Sequence, residues 1–291
     1  MSQKTEINIV WFKRDLRFTD HEPLFTAQQK SIPILLIYCF EPSLMSNDDS
    51  DVRHWRFVYQ SLQDMQEKLK GINAQLFIFH NEVIAVFAEI TKHFSINTVF
   101  SHQEIGNKIS YDRDVLMHSF FKSNAIVWKE FQTNGIIRKL KNRSKWEERW
   151  QQKMTESPKI IDETNWNIIK LEEELYITLK GKELSAEITT TNKKFQHGGE
   201  YWAWRYMDSF IKERYINYSK NISKPSLSRK SCSRISPYLA YGNISMRMVY
   251  QYTKQHYSNS QNKRALTNFI SRLHWHCHFI QKFEDECRME F

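Results

Sequence analysis

The stretch INIVWF at Ile7–Phe12, followed directly by KRDLR at Lys13–Arg17, sets the architecture of the first half of the chain. Its near-continuous apolar and β-branched character is typical of a strand buried on both faces. Four more runs of this kind follow, at Ile34–Phe40, Gln75–Phe79, Asn97–Ser101 and Ala125–Lys129. Amphipathic helical patterns separate them, at Val52–Leu69, Val83–Phe94 and Lys108–Phe121. Five strands with intervening helices predict a parallel α/β sheet with right-handed crossovers.

The loop Lys13–Arg17 follows the first predicted strand and therefore lies at its carboxyl end. Ligands of parallel α/β sheets bind at the carboxyl ends of their strands. We therefore expect this loop to lie at the ligand-binding edge of the sheet.

From Gly198 onward the pattern becomes helical, and no strand signal reappears. Helical spacing of apolar residues predicts helices at Tyr201–Tyr215, Met246–His256 and Ala265–Phe283. Ser236 followed by Pro237 predicts another helix start, with the serine as N-cap, and Ser245 is the predicted N-cap of Met246–His256. The predicted fold class is therefore an α/β domain followed by an all-α domain.

The length of 291 residues suits two domains joined by a connector. We predict an α/β domain at 1–133, an interdomain connector at 134–195 and a helical domain at 196–291. The connector contains a basic run, Arg138–Lys145, and an acidic run, Glu172–Glu174. The basic run predicts a solvated face, and contact with phosphates is the alternative.

Glycine and cysteine usage excludes several classes of protein. The 7 glycines form neither G-x-G-x-x-G nor a Walker P-loop, which excludes a standard dinucleotide fingerprint and a P-loop nucleotidase. The 4 cysteines include no C-x-x-C pair, and no apolar signal core opens the chain. We therefore expect a reduced, cytoplasmic protein. The longest apolar run, Ile32–Phe40, is too short to span a membrane.

The net charge of +9 is concentrated near the end of the chain. Residues 196–291 contain 15 Lys and Arg against 7 Asp and Glu. Such asymmetry favours a polyanionic partner, and nucleic acid first. The alternative is that basic helices only keep the protein in solution.

Three motifs, in chain order, resemble the photolyase/cryptochrome family. They are Val10–Arg17 with Asp20 and Leu24, Gly198–Glu200 with Ala203, and Ser233–Ser245. The third motif is the most specific, and the resemblance covers essentially the whole chain. It implies an α/β domain that can hold an antenna chromophore, a long connector and a helical domain that binds FAD. The antenna could be a folate, a deazaflavin or absent, and the sequence does not choose among these alternatives.

The resemblance also implies which residues contact the FAD diphosphate. In the family a tyrosine and a Ser/Thr-rich turn at a helix start hold this group. Tyr218 matches the tyrosine, and the turn is matched by Cys232, Ser233, Arg234, Ile235 and Ser236. Hydroxyls, free backbone N–H groups and the positive end of a helix suit a pyrophosphate. Capping of the following helix by Ser236 is the alternative interpretation.

A later helix resembles the wall between flavin and DNA in photolyases. Trp275 matches the tryptophan against which a damaged pyrimidine pair packs. Arg272 occupies the position of a glutamate that hydrogen-bonds the bases, and His276, a candidate flavin contact, replaces an arginine. An arginine cannot accept hydrogen bonds from a base edge. This departure favours a divergent photolyase or a cryptochrome photosensor.

The histidines of this helix also invite a metal-site hypothesis. His274 and His278 share one face of a helix, whereas His276 and Cys277 point elsewhere. No acidic third ligand lies at a suitable spacing. The pattern therefore favours packing or flavin contact over metal binding, and we predict no metal.

The function implied by the resemblance is that of a blue-light-dependent deoxyribodipyrimidine photolyase. Excited reduced FAD would donate an electron to a pyrimidine dimer in UV-damaged DNA and so split it. Family members continue with further helices after the position of Phe291, so we expect an FAD-binding domain that is incomplete at its C-terminal end. A cryptochrome photosensor without repair and an inactive truncated remnant are the alternatives. The sequence does not set the oligomeric state.

Overall fold

A five-stranded parallel sheet forms the first part of the molecule. The structure, a computed structural model of the chain, describes residues 4–72, 74–164 and 166–291. The strands are β1 (Thr5–Phe12), β2 (Ile34–Cys39), β3 (Leu76–Phe79), β4 (Phe94–His102) and β5 (Val127–Phe131). All pairings are parallel, and the strand order is β3-β2-β1-β4-β5. The predicted parallel α/β sheet is confirmed.

Helices follow the strands and continue to the end of the chain. Up to residue 199 they are α1 (Glu22–Gln28), α2 (Pro42–Met45), α3 (Val52–Lys70), α4 (Val83–His93), α5 (Lys108–Ser123), α6 (Trp146–Thr155), α7 (Glu173–Lys180) and α8 (Ala186–Thr189). From residue 200 onward they are α9 (Glu200–Lys212), α10 (Tyr218–Asn221), α11 (Pro225–Ser231), α12 (Ser236–Ala240), α13 (Met246–Gln255) and α14 (Lys263–Asp285). Single-turn 3-10 helices occur at Arg214–Asn217 and Cys287–Glu290.

The strand order explains where a site can form at the sheet. β1 lies in the middle, and the chain leaves it towards β2 on one side and reaches β4 on the other. The connections that follow β1 and β4 therefore lead to opposite sides of the sheet, and the carboxyl ends of strands at such a point are where parallel α/β sheets bind ligands. β1 supplies Trp11 to a core in which α4 contributes Phe87 and α5 contributes Phe121. The continuous apolar runs of β1 and β2 match strands that are buried on both faces. β5 differs from the prediction, since it lies at the edge of the sheet and Val127 is exposed.

Contacts within the chain group its residues into two compact units. The sheet unit comprises the residues up to Phe131 together with Lys159–Gly199, and the helical unit comprises Gln132–Pro158 and Glu200–Phe291. The segment predicted as a connector, 134–195, is therefore shared between the units. Within the sheet unit the backbone N–H of Ile169 donates to the Ile34 carbonyl oxygen at 2.9 Å, and Leu175 and Leu179 of α7 join the core.

The other part of the segment packs within the helical unit. Trp146 and Trp150 of α6 are buried there, and the ring of Trp150 contacts the ring of Tyr250 at 5.6 Å. Apolar residues in a segment of weak periodicity thus give each unit additional core.

The helix starts in the helical unit agree with one prediction and correct another. Ser245 caps α13, since its hydroxyl accepts a hydrogen bond from the Met248 N–H at 3.1 Å. Ser236 is the first helical residue rather than the N-cap, which is Ile235, and no side chain caps α12. The left-handed conformation of Arg234, with φ of 60°, turns the chain one residue earlier than the serine–proline pair suggests. Among the helices of the described residues, none combines the length and apolarity needed to cross a bilayer.

Candidate functional site

The turn at residues 232–236 is held by Arg214, which no sequence motif marks. The Arg214 guanidinium donates to the carbonyl oxygens of Cys232 and Ser233, the latter at 3.3 Å. It also donates to the Tyr206 carbonyl at 2.6 Å and to the Ser209 hydroxyl at 2.9 Å. One planar, forked group therefore joins the turn to α9. Nothing in the local sequence marks Arg214, because its partners lie up to 19 positions away.

A second arginine and a tyrosine border the same turn. The Arg234 guanidinium lies 5.4 Å from the centre of the Tyr206 ring. Burial, and then the charge of Arg234, lower the pKa of Arg214. Tyr218 packs edge-on against Phe210 at 5.5 Å. Burial, and then neighbouring Cys232, raise the pKa of Tyr218 to about 12, which keeps its hydroxyl protonated. The structure thus brings Tyr218 together with the matched turn.

Several polar groups of this cluster have no protein partner. The hydroxyls of Tyr218, Ser233 and Ser236 make no hydrogen bond within the described residues. Ser236 is exposed, whereas Ser233 and Ile235 are buried and Cys232 is half-buried. Unpaired hydroxyls beside two guanidinium groups form a surface suited to an anion with several oxygen atoms. The chemistry of this donor set fits a diphosphate.

The residues matched on α14 fall on two neighbouring faces. Arg272, Trp275 and Phe279 are exposed, and the Trp275 ring contacts the Phe279 ring at 5.5 Å. His276 shares its face with Phe269, whose ring lies 5.8 Å from that of Tyr218. Nδ1 of His276 is buried and has no partner in the described part of the chain, and burial lowers the pKa of the imidazole. The imidazole is therefore neutral at pH 7, and it lies on the same face of α14 as Phe269, the residue that contacts Tyr218.

The two outer histidines of the α14 cluster are packed among aromatic rings. The ring of His274 lies 5.1 Å from that of Trp146 and 4.9 Å from that of Trp150. His278 contacts Trp146 at 5.9 Å and Trp275 at 5.3 Å. Nδ1 of His278 also accepts from Arg143 Nη2 at 3.4 Å, so aromatic packing and one local hydrogen bond account for the contacts of the two rings.

A separate cluster of ionisable groups lies at the carboxyl edge of the sheet unit. Oδ2 of Asp15 accepts hydrogen bonds from His21 Nε2 at 2.8 Å and from His102 Nδ1 at 2.7 Å. Oδ1 accepts from the Lys13 backbone N–H at 2.7 Å. Burial opposes ionisation of Asp15, but the two histidines hold its pKa well below the usual range. Burial lowers the pKa of both histidines, that of His102 to about 4.

Asp15, His21 and His102 could in principle hold a metal ion, since their ligand atoms lie within 4.8 Å of one another. The hydrogen bonds favour a different role. Nδ1 of His21 accepts from the Leu24 N–H at 3.1 Å, so the ring proton is on Nε2 and points at Asp15. A metal would need that nitrogen deprotonated. The cluster therefore fixes the loop after β1 to the end of β4.

The side chains of the predicted ligand loop are largely engaged within the sheet unit. The Lys13 ammonium is 3.2 Å from the Asp114 carboxylate and lies above the Trp11 ring at 4.7 Å. Arg14 is half exposed and pairs with Glu104 at 3.2 Å. Of the two, Arg14 is the cation with access to solvent.

Acidification should destabilise the sheet unit through His102. Its folded pKa of about 4 lies below the usual 6.5, so the unfolded chain binds the proton more readily. The neutral imidazole, which faces Asp15, His21 and Arg17, contributes stability that is present above pH 6.5 and lost towards pH 4. We expect the difference in unfolding free energy between the wild type and His102→Asn to shrink by about 3 kcal/mol across that range. Urea unfolding of both proteins at several pH values measures it, and a pH-independent difference would contradict the assignment.

Comparison with known proteins finds photolyases and cryptochromes. A family model described as DNA photolyase matches residues 8–148. Cryptochrome DASH of Arabidopsis thaliana is 23% identical over 303 residues, which cover 91% of this chain and 51% of that protein. The chain spans about half the length of such curated relatives.

Solved structures extend the likeness across both units. The Synechocystis cryptochrome is similar with a TM-score of 0.77 at 19% identity, covering 98% of this chain and 62% of the other. An archaeal photolyase from Sulfolobus tokodaii, described with two FAD molecules, is similar with a TM-score of 0.71 at 17% identity, covering 96% and 59%. At these identities the structural likeness shows the fold alone.

Proposed function

The chain belongs to the DNA photolyase and cryptochrome family, and we propose that its helical unit contributes the diphosphate-binding part of an FAD site. The observation that supports this most directly is the cluster of unpaired hydroxyls around the turn. Tyr218, Ser233 and Ser236 would donate to phosphate oxygens, and Arg214 and Arg234 supply positive charge. His276 would face the cofactor with its unsatisfied ring nitrogen.

The proposed activity of the whole protein is light-dependent repair of pyrimidine dimers in DNA. Bound, reduced FAD would supply an electron under blue light. The chain's own residues would bind and orient the lesion, which must leave the base stack to reach them. The exposed α14 face offers Trp275 and Phe279 for stacking and Arg272 for contact with a phosphate. The basic balance of residues 196–291 supports contact with the DNA backbone.

An antenna chromophore, a folate or a deazaflavin, is part of the same proposal. Its expected place is the carboxyl edge of the sheet unit, where parallel sheets bind ligands. The half-exposed Arg14 guanidinium would meet an anionic group of such a molecule. Lys13 and Asp15 would act indirectly, by fixing the loop that carries Arg14.

Arg272 is the observation that favours a photosensor as the second candidate function. The residue is exposed beside Trp275 and cannot accept a hydrogen bond from a base. A photosensor needs the flavin but not the recognition of a lesion. Light-dependent restoration of a thymine-dimer oligonucleotide would exclude this alternative. Light-induced flavin reduction without any restoration would support it.

Removal of the Trp275 indole should weaken lesion binding. We expect Trp275→Ala to lower affinity for a thymine-dimer oligonucleotide by about tenfold, because a base loses its stacking partner. Fluorescence anisotropy at fixed salt measures the affinity. Tyr201→Ala is the matched control, since Tyr201 is an exposed aromatic residue on α9 of the same unit. Equal losses in both variants, or no loss in Trp275→Ala, would contradict the proposed role.

A further inference from the structure

A small groove in the sheet unit has no role in the function proposed above. It has a volume of about 230 Å3 and is lined by residues of α2, of the first turn of α4 and of the N-terminal part of α5. Ile84 of α4 and Ile109 and Leu116 of α5 form apolar walls, and Glu41 lies in its lining. The volume is below the range typical of drug-sized ligands, so the groove suits a fragment-sized molecule.

Glu41 lines the groove and is itself buried, and one of its two carboxylate oxygens has no partner among the described residues. Glu41 lies in the loop after β2 and is 2% exposed. Oε1 accepts a hydrogen bond from Arg113 Nη1 at 2.9 Å. Oε2 is buried and has no hydrogen-bond partner in the part of the chain that the structure describes. Burying a polar atom without a partner is costly, so a donor in the groove would be stabilising.

Arg113 does not fully compensate this carboxylate, because it is shared. The same guanidinium donates to Glu104 at 2.6 Å and to Asp114 at 2.8 Å. Burial raises the pKa of Glu41 to about 7 although Arg113 opposes the rise, and the nearby Glu104 and Glu82 add to it. Three carboxylates thus converge on one cation, and Glu41 is the one that retains an open acceptor.

We propose that this groove binds a small organic cation in which a guanidinium or amidinium group is carried on an apolar stem. The planar group would donate to the Glu41 carboxylate, whose partnerless and buried Oε2 would turn towards the ligand by side-chain rotation, and the stem would lie between Ile84 and Leu116. Glu82 adds negative charge at the rim, where its carboxylate accepts from the Ser43 N–H and hydroxyl, both at 2.8 Å, rather than from a cation.

The lining disfavours other classes of ligand. An anion would meet the carboxylates of Glu41 and Glu82. A hydrated divalent metal would lie beside the Arg113 guanidinium and against aliphatic walls, where its remaining waters would find few partners. A planar cation with an apolar body satisfies both the charged and the apolar parts of the groove.

Titration of the full chain with benzamidine tests the proposal, with methyl NMR signals of Ile84, Ile109 and Leu116 as the readout. We expect saturable shifts of these methyl groups and none with benzamide, the neutral analogue of similar shape. Glu41→Gln should weaken binding by at least about tenfold, since the charge-assisted hydrogen bond is lost. Glu89→Gln is the control, because Glu89 lies on α4 outside the groove lining and pairs with Lys92.

Several results would overturn the inference. One is equal response to benzamidine and benzamide, and another is unchanged affinity in a Glu41→Gln protein that keeps the wild-type backbone spectrum. If Glu41→Gln does not fold, Glu82→Gln is the second variant, and unchanged benzamidine affinity there would count against the proposal. Tighter binding of the tripeptide acetyl-Gly-Arg-Gly-amide than of benzamidine would assign the groove to a protein partner and overturn the small-ligand claim. These readouts do not involve FAD, so they are independent of the flavin proposal.

Discussion

Replacing Arg214 with methionine is expected to weaken FAD binding by about a hundredfold. The guanidinium holds the carbonyl oxygens of Cys232 and Ser233 and links them to Tyr206 of α9. Methionine has a similar stem but no donors, so these carbonyls lose their partner and the turn loses its fixed shape. Positive charge beside the proposed diphosphate is lost as well. Quenching of FAD fluorescence on titration with the protein measures the affinity.

Two comparisons make the Arg214 prediction specific. Arg229→Met removes an exposed arginine of α11 in the same unit and should leave FAD affinity unchanged. Arg214→Lys keeps the charge but not the forked geometry, so we expect an intermediate loss. If Arg214→Lys binds FAD as tightly as the wild type does, the positive charge alone is required and the forked geometry of the guanidinium is not. If Arg214→Met binds FAD as the wild type does, the turn is not the diphosphate site.

The second large effect is expected at Asp15. Asp15→Asn should lower the unfolding free energy of the sheet unit by about 3–5 kcal/mol, the cost typical of breaking a buried charged cluster. Three N–H groups, from His21, His102 and the Lys13 backbone, converge on the carboxylate. Asparagine offers one acceptor oxygen, and its amide group would face one of these donors. The loop after β1 would therefore lose its attachment to β4.

Hydrogen exchange of peptides from β1 and β4 under increasing urea measures the Asp15 effect within the sheet unit. Asp48→Asn is the matched control, because Asp48 is exposed and engages no partner among the described residues. A loss below about 1 kcal/mol in Asp15→Asn would show that the cluster contributes no more than an ordinary hydrogen bond.

The regular elements could be predicted because their signals are local. The apolar run Ile7–Phe12 lies within β1, and the periodic stretch Val52–Leu69 lies within α3, whose structure extends from Val52 to Lys70. Helices α1 and α7 were not predicted, since seven or eight residues give too few turns for a clear period. The helix start at Ser236 was misplaced by one residue, because the left-handed Arg234 that turns the chain has no sequence signature.

The site was predictable only where a motif marks it. Tyr218 and the turn at 232–236 are marked by the family resemblance, and in the structure Cys232 of the turn lies near Tyr218. Arg214 ties the same turn to Tyr206 of α9. Arg214 itself was missed, because its role depends on carbonyl groups and not on side chains with a pattern. The Asp15–His102 contact joins residues 87 positions apart. Such a contact follows from the neighbouring positions of β1 and β4 in the sheet, which spacing in the sequence does not reveal.

The most direct test of the FAD-site proposal is the absorption spectrum of the purified and extensively washed 291-residue chain, with any released cofactor identified by mass. The proposed diphosphate site predicts stoichiometric FAD, or stoichiometric uptake of added FAD that is lost in Arg214→Met. A chain that shows a folded circular-dichroism spectrum but neither carries nor takes up FAD would contradict it.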